Sequence, residues 1–239
     1  MENLSNIIKG VIFDYGGTID SRGVHWSEVI WDGYQDARLD IPKEEFRGCY
    51  VYAERELAKV RHILPHHNFH DLLLIKMRIE IGNLVEKGLV EAASVEPCAQ
   101  HIARYCYDRA RQSVEEARPV LEALYARYPM VLVSNFYGNV ESVLADFDLL
   151  RYFKHIVESA VVGVRKPDPQ IFQLGVDALG LKPGETLVVG DSLRKDILPA
   201  QSIGCHVLWL KGKGWTAEED AQTHPCTIKD LSQVLEVAL

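Results

Sequence analysis

The chain has 239 residues, of which 47% are hydrophobic and 25% are charged, the balance of a soluble globular protein with a sizeable core. Its formal net charge of −8 argues against a non-specific nucleic-acid surface, although a metal or a few cations could still bind an anion in one cleft. The five scattered cysteines lack the spacing of a disulfide framework or a zinc site, which favours a reducing cytoplasm.

The sequence offers no candidate membrane or export segment. Residues 1–10 carry one lysine and no long apolar block, so we expect no signal peptide. No apolar run approaches the roughly 18 residues that a membrane helix needs. We therefore expect a cytoplasmic monomer or homodimer with no nucleic-acid and no membrane partner.

Short β-branched apolar runs predict strands at residues 10–13, 130–133, 186–189 and 205–210, with a weaker candidate at 155–158. Their almost continuous apolarity is typical of strands that are buried on both faces, as in a parallel sheet. Helical spacing separates them, for example from Ile171 to Leu179, where Gly180 is a candidate stop. This alternation predicts an α/β doubly wound, Rossmann-like domain.

Residues 21–112 contain no convincing strand run and predict an all-helical segment. We expect its helices at about 27–38, 43–60, 69–87 and 96–112, with breaks at Pro42, Pro65, the stretch from Gly82 to Gly88, and Pro97. The predicted organisation is therefore an α/β catalytic core of residues 1–20 and 113–239. A helical cap of residues 21–112 is inserted after the first strand.

Polar residues follow three of the predicted strands. Asp14 follows the predicted strand at 10–13, Ser134-Asn135 follows the one at 130–133, and Gly190-Asp191 follows the one at 186–189. The carboxyl ends of parallel strands share one edge of the sheet, where ligands bind in open α/β folds. The sequence therefore predicts a binding site at this edge.

In their order along the chain, these motifs resemble those of the haloacid dehalogenase-like (HAD) hydrolases. Asp14 with Gly17-Thr18 resembles the first motif, Ser134-Asn135 the second, Lys166 before Pro167 the third, and residues 190–197 the fourth. The helical segment occupies the place of a C1-type cap. The resemblance implies a Mg²⁺-dependent hydrolase of the phosphatase-like branch that acts on a small phosphorylated metabolite.

The resemblance also implies a role for each matching residue. Asp14 would be the nucleophile that forms an aspartyl-phosphate, and Lys166 a cation beside it. Substrate binding would fall to Thr18, Ser134 and Asn135, and the metal to Asp14, the Gly16 carbonyl, Asp191 and Asp196. For Asp196 the alternative is a solvated charge at the start of a helix, because such a residue would produce the same sequence pattern.

Gly16 departs from the family pattern, which has a second aspartate here that protonates the leaving group and then activates water. General acid–base help of this kind is worth about 10²–10⁴-fold in rate. We therefore expect substrates with good leaving groups, or a proton from a substitute such as Asp20, His25 or a water. The alternative is a member that binds a phosphorylated ligand without turning it over.

Two other chemistries of the family are lower-ranked alternatives. Dehalogenases have a tyrosine where Gly16 stands, but Tyr15 is one place early. Phosphonoacetaldehyde hydrolases use a cap lysine as a Schiff base, for which the sequence offers Lys43, Lys59 and Lys76 without preferring one.

Two side-chain groups of the predicted cap have ordinary interpretations. A histidine-rich tract around Pro65 is best explained as a solvated loop, with substrate contact as the alternative; its members are Arg61, His62, His66, His67, His70 and Arg78. Trp26, Trp31 and Tyr34 recur near helical spacing, which favours core packing.

Overall fold

Six parallel strands form one sheet within residues 3–239, the range that this computed structural model describes. Their order is β3-β2-β1-β4-β5-β6, and every neighbouring pair is parallel. Residues 1 and 2, which the predicted core includes, lie outside the described residues. The strands are β1 (Gly10–Phe13), β2 (Met130–Ser134), β3 (His155–Glu158), β4 (Thr186–Gly190), β5 (His206–Leu210) and β6 (Thr227–Ile228).

The five predicted strands are confirmed, with β5 beginning at His206 instead of at residue 205. The sixth strand was not predicted. It has two residues, Thr227 and Ile228, which pair with the end of β5. Two residues are too short a run to show any periodicity.

The sheet is covered on both faces, as the predicted doubly wound fold requires. Successive residues of β1 point to opposite faces, so Val11 and Phe13 enter one hydrophobic core while Ile12 enters another. The predicted helix after residue 170 is confirmed as α7 (Gln170–Leu179). Phe172 of this helix packs into the hydrophobic core on the face of the sheet to which Ile12 points. The helix ends at Gly180, which has the left-handed conformation.

Helices fill the chain between β1 and β2, which confirms the predicted helical insertion. They are α1 (Trp26–Asp36), α2 (Lys43–Lys59), α3 (Phe69–Glu86) and α4 (Val95–Tyr125). The remaining α-helices are α5 (Val140–Asp146), α6 (Ser159–Val162), α7, α8 (Leu198–Ser202), α9 (Ala217–Ala221) and α10 (Gln233–Ala238), and a π-helical turn at Leu193–Ile197 precedes α8.

One helix boundary predicted within the insertion is far from the observed one. The helix expected to end at 112 continues to Tyr125, because buried residues recur at helical spacing from Ala110 through Val114 and Ala117. α3 ends at Glu86, within the predicted break from Gly82 to Gly88, although Gly82 itself lies inside the helix. Pro97 lies in the first turn of α4, where a backbone N–H has no helical partner, so the missing N–H of proline costs no hydrogen bond. The division into cap and core at 112/113 stays a prediction, and it falls inside a continuous helix.

Candidate active site

The carboxyl edge of the sheet opens into one cavity of about 520 Å³ that both the strand ends and the helical insertion line. Asp14, Ser134 and Asp191 line it from the ends of β1, β2 and β4. Lys166 and Asp196 line it as well. The expected convergence of the three strand ends on one edge is therefore observed.

Lys166 is the central cation of this edge. Its Nζ lies 2.5 Å from Asp14 Oδ1 and 2.7 Å from Asp196 Oδ1. Burial by itself lowers the pKa of Lys166, but the Asp14 and Asp196 carboxylates outweigh it and raise the pKa. Lys166 therefore remains an ammonium group held between two carboxylates.

Thr18 and Asn135 hold these groups in place. The Thr18 Oγ1 lies 2.9 Å from Asp14 Oδ2 and 3.2 Å from Asp191 Oδ1. Asn135 pairs with the backbone of Lys166 twice, donating to its carbonyl at 3.0 Å and accepting from its N–H at 2.9 Å. The substrate contacts implied for Thr18, Ser134 and Asn135 all stay predictions. Ser134 and Asn135 line the cavity, whereas Thr18 is fully buried and does not line the cavity described for residues 3–239.

Two glycines allow the carboxylates to approach the backbone closely. Gly17 has a φ of +99°, and a Cβ there would clash with the Asp191 carboxylate group. A Cβ at Gly190 would clash with the Cβ and the carboxylate of Asp196. Any side chain at either position would displace an acidic group of the site.

The acidic groups fit a divalent cation. Asp14, Asp191 and Asp196 each offer an oxygen within 4.8 Å of the others, the sole such group of potential metal ligands in residues 3–239. Burial and the neighbouring carboxylates raise the pKa of Asp191 well above its usual range. Three acidic groups face one ammonium, so their ionised forms repel each other. A bound Mg²⁺ ion would stabilise the ionised forms, and Mg²⁺ prefers oxygen ligands.

Gly16 lines the cavity, and a Cβ built there would meet nothing within 4 Å. No atom of the described residues outside the adjoining backbone therefore lies close to the point where a side chain at residue 16 would begin. The predicted use of the Gly16 carbonyl as a metal ligand stays a prediction.

Asp20, one of the two side chains suggested as a substitute acid, is almost fully buried and lines the same cavity as Asp14. Its Oδ1 accepts from the Gly17 N–H at 2.7 Å, and the Trp26 Nε1–H donates to both carboxyl oxygens at 3.1 Å. Burial outweighs these hydrogen bonds and raises the pKa of Asp20 to about 8. Asp20 therefore carries a proton at neutral pH.

His25, the other suggested acid, behaves in the opposite way. Its ring caps α1 by accepting from the Ser27 N–H at 3.2 Å. Burial lowers the pKa of His25 to about 4, so that the ring is neutral at pH 7. A neutral imidazole is a weak proton donor, and Asp20 is the better-placed acid of the two.

The alternative chemistries find little support in the positions of their residues. Of the three lysines suggested as a Schiff base, Lys76 lines the cavity, while Lys43 pairs with Glu28 at 2.6 Å and Lys59 lies at another surface depression. Lys76 is in turn paired with Glu54. Tyr15, the dehalogenase candidate, is buried with its ring against Phe69 and Phe136.

Several cavity residues had no functional signal in the sequence. Tyr50 and Glu54 reach it from α2, Tyr137 from the segment after β2, and Trp26, expected in the core, from the start of α1. Only the near-helical spacing of the aromatic residues pointed to Trp26. The histidine-rich tract does not line the cavity described for residues 3–239.

Comparison with known families agrees with this geometry. The family model for haloacid dehalogenase-like hydrolases matches residues 8–204. The chain belongs to this family. The expected HAD superfamily and the hydrolase class of the enzyme are thereby confirmed. No helix within residues 3–239 has the length and apolarity needed to cross a membrane.

Individual HAD proteins resemble the chain over different lengths. A glyceraldehyde 3-phosphate phosphatase of Pyrococcus furiosus is 38% identical over 36% of this chain and 37% of its own length. A phosphoserine phosphatase of Thermus thermophilus is 26% identical over 60% of this chain and 66% of its own. These matches thus span about a third to two thirds of the relatives.

A solved HAD hydrolase, YfnB of Bacillus subtilis bound to magnesium, superposes with a TM-score of 0.62. The alignment covers 97% of this chain and 99% of YfnB at 19% identity. At that identity the likeness concerns the fold, an α/β sheet with a helical insertion.

Proposed function

We propose that the protein is a Mg²⁺-dependent phosphohydrolase that cleaves a small phosphorylated metabolite through a covalent phosphate on Asp14. The observation that carries this proposal is the contact of the Lys166 ammonium with Asp14 at 2.5 Å, beside the three converging carboxylates. The phosphatase names of its sequence relatives support a small phosphorylated substrate. The proposal includes a C1-type cap formed by the helical insertion and a cytoplasmic monomer or homodimer.

In the first step an Asp14 carboxylate oxygen bonds to phosphorus, and the bond from phosphorus to the leaving oxygen breaks. The leaving oxygen keeps the electron pair and takes a proton. Lys166 lies beside the nucleophile, where its charge offsets the repulsion between Asp14 and the phosphoryl oxygens. Ser134 lies at the wall of the same cavity and would hydrogen-bond a phosphoryl oxygen.

Asp20 is our candidate for the proton donor. It carries a proton at neutral pH, because burial raises its pKa to about 8, and it lines the same cavity as Asp14. After donation the Asp20 carboxylate would accept a proton from the water that attacks the aspartyl-phosphate. That attack breaks the bond between phosphorus and the Asp14 oxygen, releases inorganic phosphate and restores Asp14.

Asp14 and Asp191, with Asp196 and the Gly16 carbonyl beside them, would hold Mg²⁺. The ion supplies charge neutralisation for the phosphoryl oxygens when it is bound. Because Gly16 lacks an acidic side chain, proton donation falls to Asp20; without Asp20 we propose that the enzyme would prefer aryl, acyl and similar phosphates, whose leaving groups need little proton help.

Turnover of 4-nitrophenyl phosphate by wild type and Asp14→Asn tests the proposal. We expect Mg²⁺-dependent turnover by the wild type and a loss of at least about 10³-fold in the variant. Asp177→Asn, an exposed position on α7, is the matched control. Full activity of Asp14→Asn would disprove the nucleophile. If no phosphate ester is hydrolysed while Mg²⁺ still binds, the chain is instead a ligand-binding member without turnover.

A further inference from the structure

The cavity contains a polar cluster that the proposed phosphoryl chemistry does not use. Four side chains form it: Tyr50, Glu54, Lys76 and Tyr137, here called the Glu54 cluster, and all four line the same cavity as Asp14. An ion pair whose ammonium group is buried, as that of Lys76 is, costs desolvation energy and is weak evidence for stability. Its position in the cavity suggests a role in recognising the substrate.

Lys76 is the counter-ion of the cluster and is not free to bind an anion. It is buried, donates to Glu54 Oε1, and lies 4.1 Å from the centre of the Tyr50 ring. Burial by itself lowers the pKa of Lys76, but the Glu54 carboxylate outweighs it and raises the pKa well above the usual range. Lys76 therefore stays charged and occupied.

Glu54 is the open member of the cluster. Its Oε1 accepts from both Lys76 and the Tyr137 hydroxyl, the latter at 3.0 Å. No protein group within residues 3–239 donates to Glu54 Oε2, and 38% of the Glu54 side chain is exposed. Burial by itself raises the pKa of Glu54, but Lys76 outweighs it and lowers the pKa, so Glu54 is an ionised carboxylate in the cavity lining.

We propose that the Glu54 cluster selects phosphate esters whose distal end carries a hydrogen-bond donor, a hydroxyl or an ammonium group, and disfavours those that end in a carboxylate. This inference rests on the proposed function, because it takes the phosphoryl group to lie at Asp14. A distal donor pairs with Glu54 Oε2, whereas a distal carboxylate meets a like charge there. The rings of Trp26 and Phe136 line the same cavity and supply apolar contact.

Four further cationic side chains line the cavity: Arg194, Lys195, Lys211 and Lys213. Lys213 is paired with Glu28, and Lys211 donates to backbone carbonyls. The Lys195 ammonium contributes to the low pKa of Glu54, but its side chain is exposed and its charge is screened by solvent. If Lys195 instead bound the distal carboxylate of a substrate, the test described next would show tight binding of the carboxylate ligands, which is the opposite of our expectation.

The test measures inhibition of 4-nitrophenyl phosphate turnover by alkyl phosphates that differ only at their distal end. The ends are ammonium, hydroxyl, methyl and carboxylate, each on two-, four- and six-carbon chains so that the reach from the phosphoryl group is varied. We expect the ammonium or hydroxyl ligands to bind about tenfold more tightly than the methyl ligand, and the carboxylate ligands to bind most weakly. Comparing the two donor ligands distinguishes an amino alcohol from a polyol.

Two variants connect this preference to the cluster. Glu54→Gln should remove the preference, and Glu54→Gln combined with Lys76→Met should do the same without leaving a lone buried ammonium. Glu56→Gln, on the same helix but outside the cavity lining, is the matched control that should keep it. Each result is a ratio of inhibition constants within one variant, so a change in turnover rate cancels.

The inference is overturned if wild type binds the carboxylate ligands as tightly as the donors, or if the preference survives in either folded variant. Failure of the proposed function gives a different result. In that case wild type does not hydrolyse 4-nitrophenyl phosphate, and calorimetry with the same ligands still reports whether the Glu54 cluster selects donors.

Discussion

The two ends of the cavity arrange their charges differently. At the sheet edge, Lys166 is shared between Asp14 and Asp196, and the excess of carboxylates there fits a metal and a phosphoryl group. In the Glu54 cluster one ammonium is matched by one carboxylate, and a single acceptor oxygen remains open. The sheet edge suits the phosphoryl group, which all phosphate esters share. The Glu54 cluster suits the distal end of the substrate, in which phosphate esters differ.

This contrast separates the effects of mutations. A change at the sheet edge should slow every substrate by a similar factor, whereas a change in the Glu54 cluster should alter the ranking of substrates. Asp20 belongs to neither class. It lies on the segment that leads from β1 into the helical insertion, and its effect should depend on the leaving group.

Replacing the shared cation should have the largest effect. Lys166→Met leaves Asp14 and Asp196 without their common ammonium, so we expect a fall in kcat/KM of about 10²–10³-fold for aryl and alkyl phosphates alike. Lys154→Met removes an exposed lysine and serves as the control. A loss below about threefold, or a loss confined to one substrate type, would place Lys166 outside the common machinery.

Asp20→Asn should act selectively. We expect turnover of alkyl phosphates to fall about 10²-fold, and turnover of 4-nitrophenyl phosphate to fall by less than about threefold, because only the alkoxide needs a proton. The pKa of Asp20 is raised to about 8, so the acid form is present below that pH and lost above it. Wild-type turnover of alkyl phosphates should therefore decline above about pH 8, and the variant should lack this decline.

A polar cavity residue without an acidic group provides the control for Asp20→Asn. Gln222 also lines the cavity, and Gln222→Ala should leave the ratio of alkyl to aryl turnover unchanged. Equal losses of Asp20→Asn on both substrates would indicate that Asp20 only supports the loop through its bonds to Gly17 and Trp26. The proton for the leaving group would then have to come from water.

Glu80 should report on stability. It is fully buried and lies one helical turn after Lys76 on α3. Its Oε2 accepts from the Tyr34 hydroxyl at 3.1 Å, and its Oε1 has no partner among the described residues. Burial raises the pKa of Glu80 from 4.5 to about 7. The folded state thus holds this proton more tightly than the unfolded state, and stability falls as pH rises through that window.

The expected fall is roughly 3 kcal/mol in the free energy of unfolding. Denaturant titrations of wild type and Glu80→Gln at several pH values measure it, since the variant should lose this part of the pH dependence. Glu86→Gln, an exposed position on the same helix, is the control. Identical pH dependence in wild type and Glu80→Gln would show that Glu80 ionises normally.

The sequence predicted the sheet edge well, because strand ends and their polar residues are adjacent along the chain. Asp14 and Asp191 directly follow apolar runs, and parallel pairing then brings them together. Glu54 and Lys76 gave no comparable signal for substrate recognition, since each is an ordinary residue of a helix and only the packing of α2 on α3 turns both toward the cavity. Asp20 and His25 differ as proton donors because burial raises the pKa of the first and lowers the pKa of the second. Burial depends on the tertiary structure, so the sequence could not distinguish them.

Gly16→Asp should have the smallest effect and tests the relation between the two candidate acid positions. A Cβ at this position meets nothing within 4 Å, so the backbone there leaves room for a side chain to begin. If Asp20 already supplies the proton, Gly16→Asp should raise turnover of alkyl phosphates by less than about tenfold. In the Asp20→Asn background the same change should give a gain of about 10²-fold, because the two carboxyls then substitute for each other. A gain of that size in the wild-type background would show instead that the acid is missing and that Asp20 does not replace it.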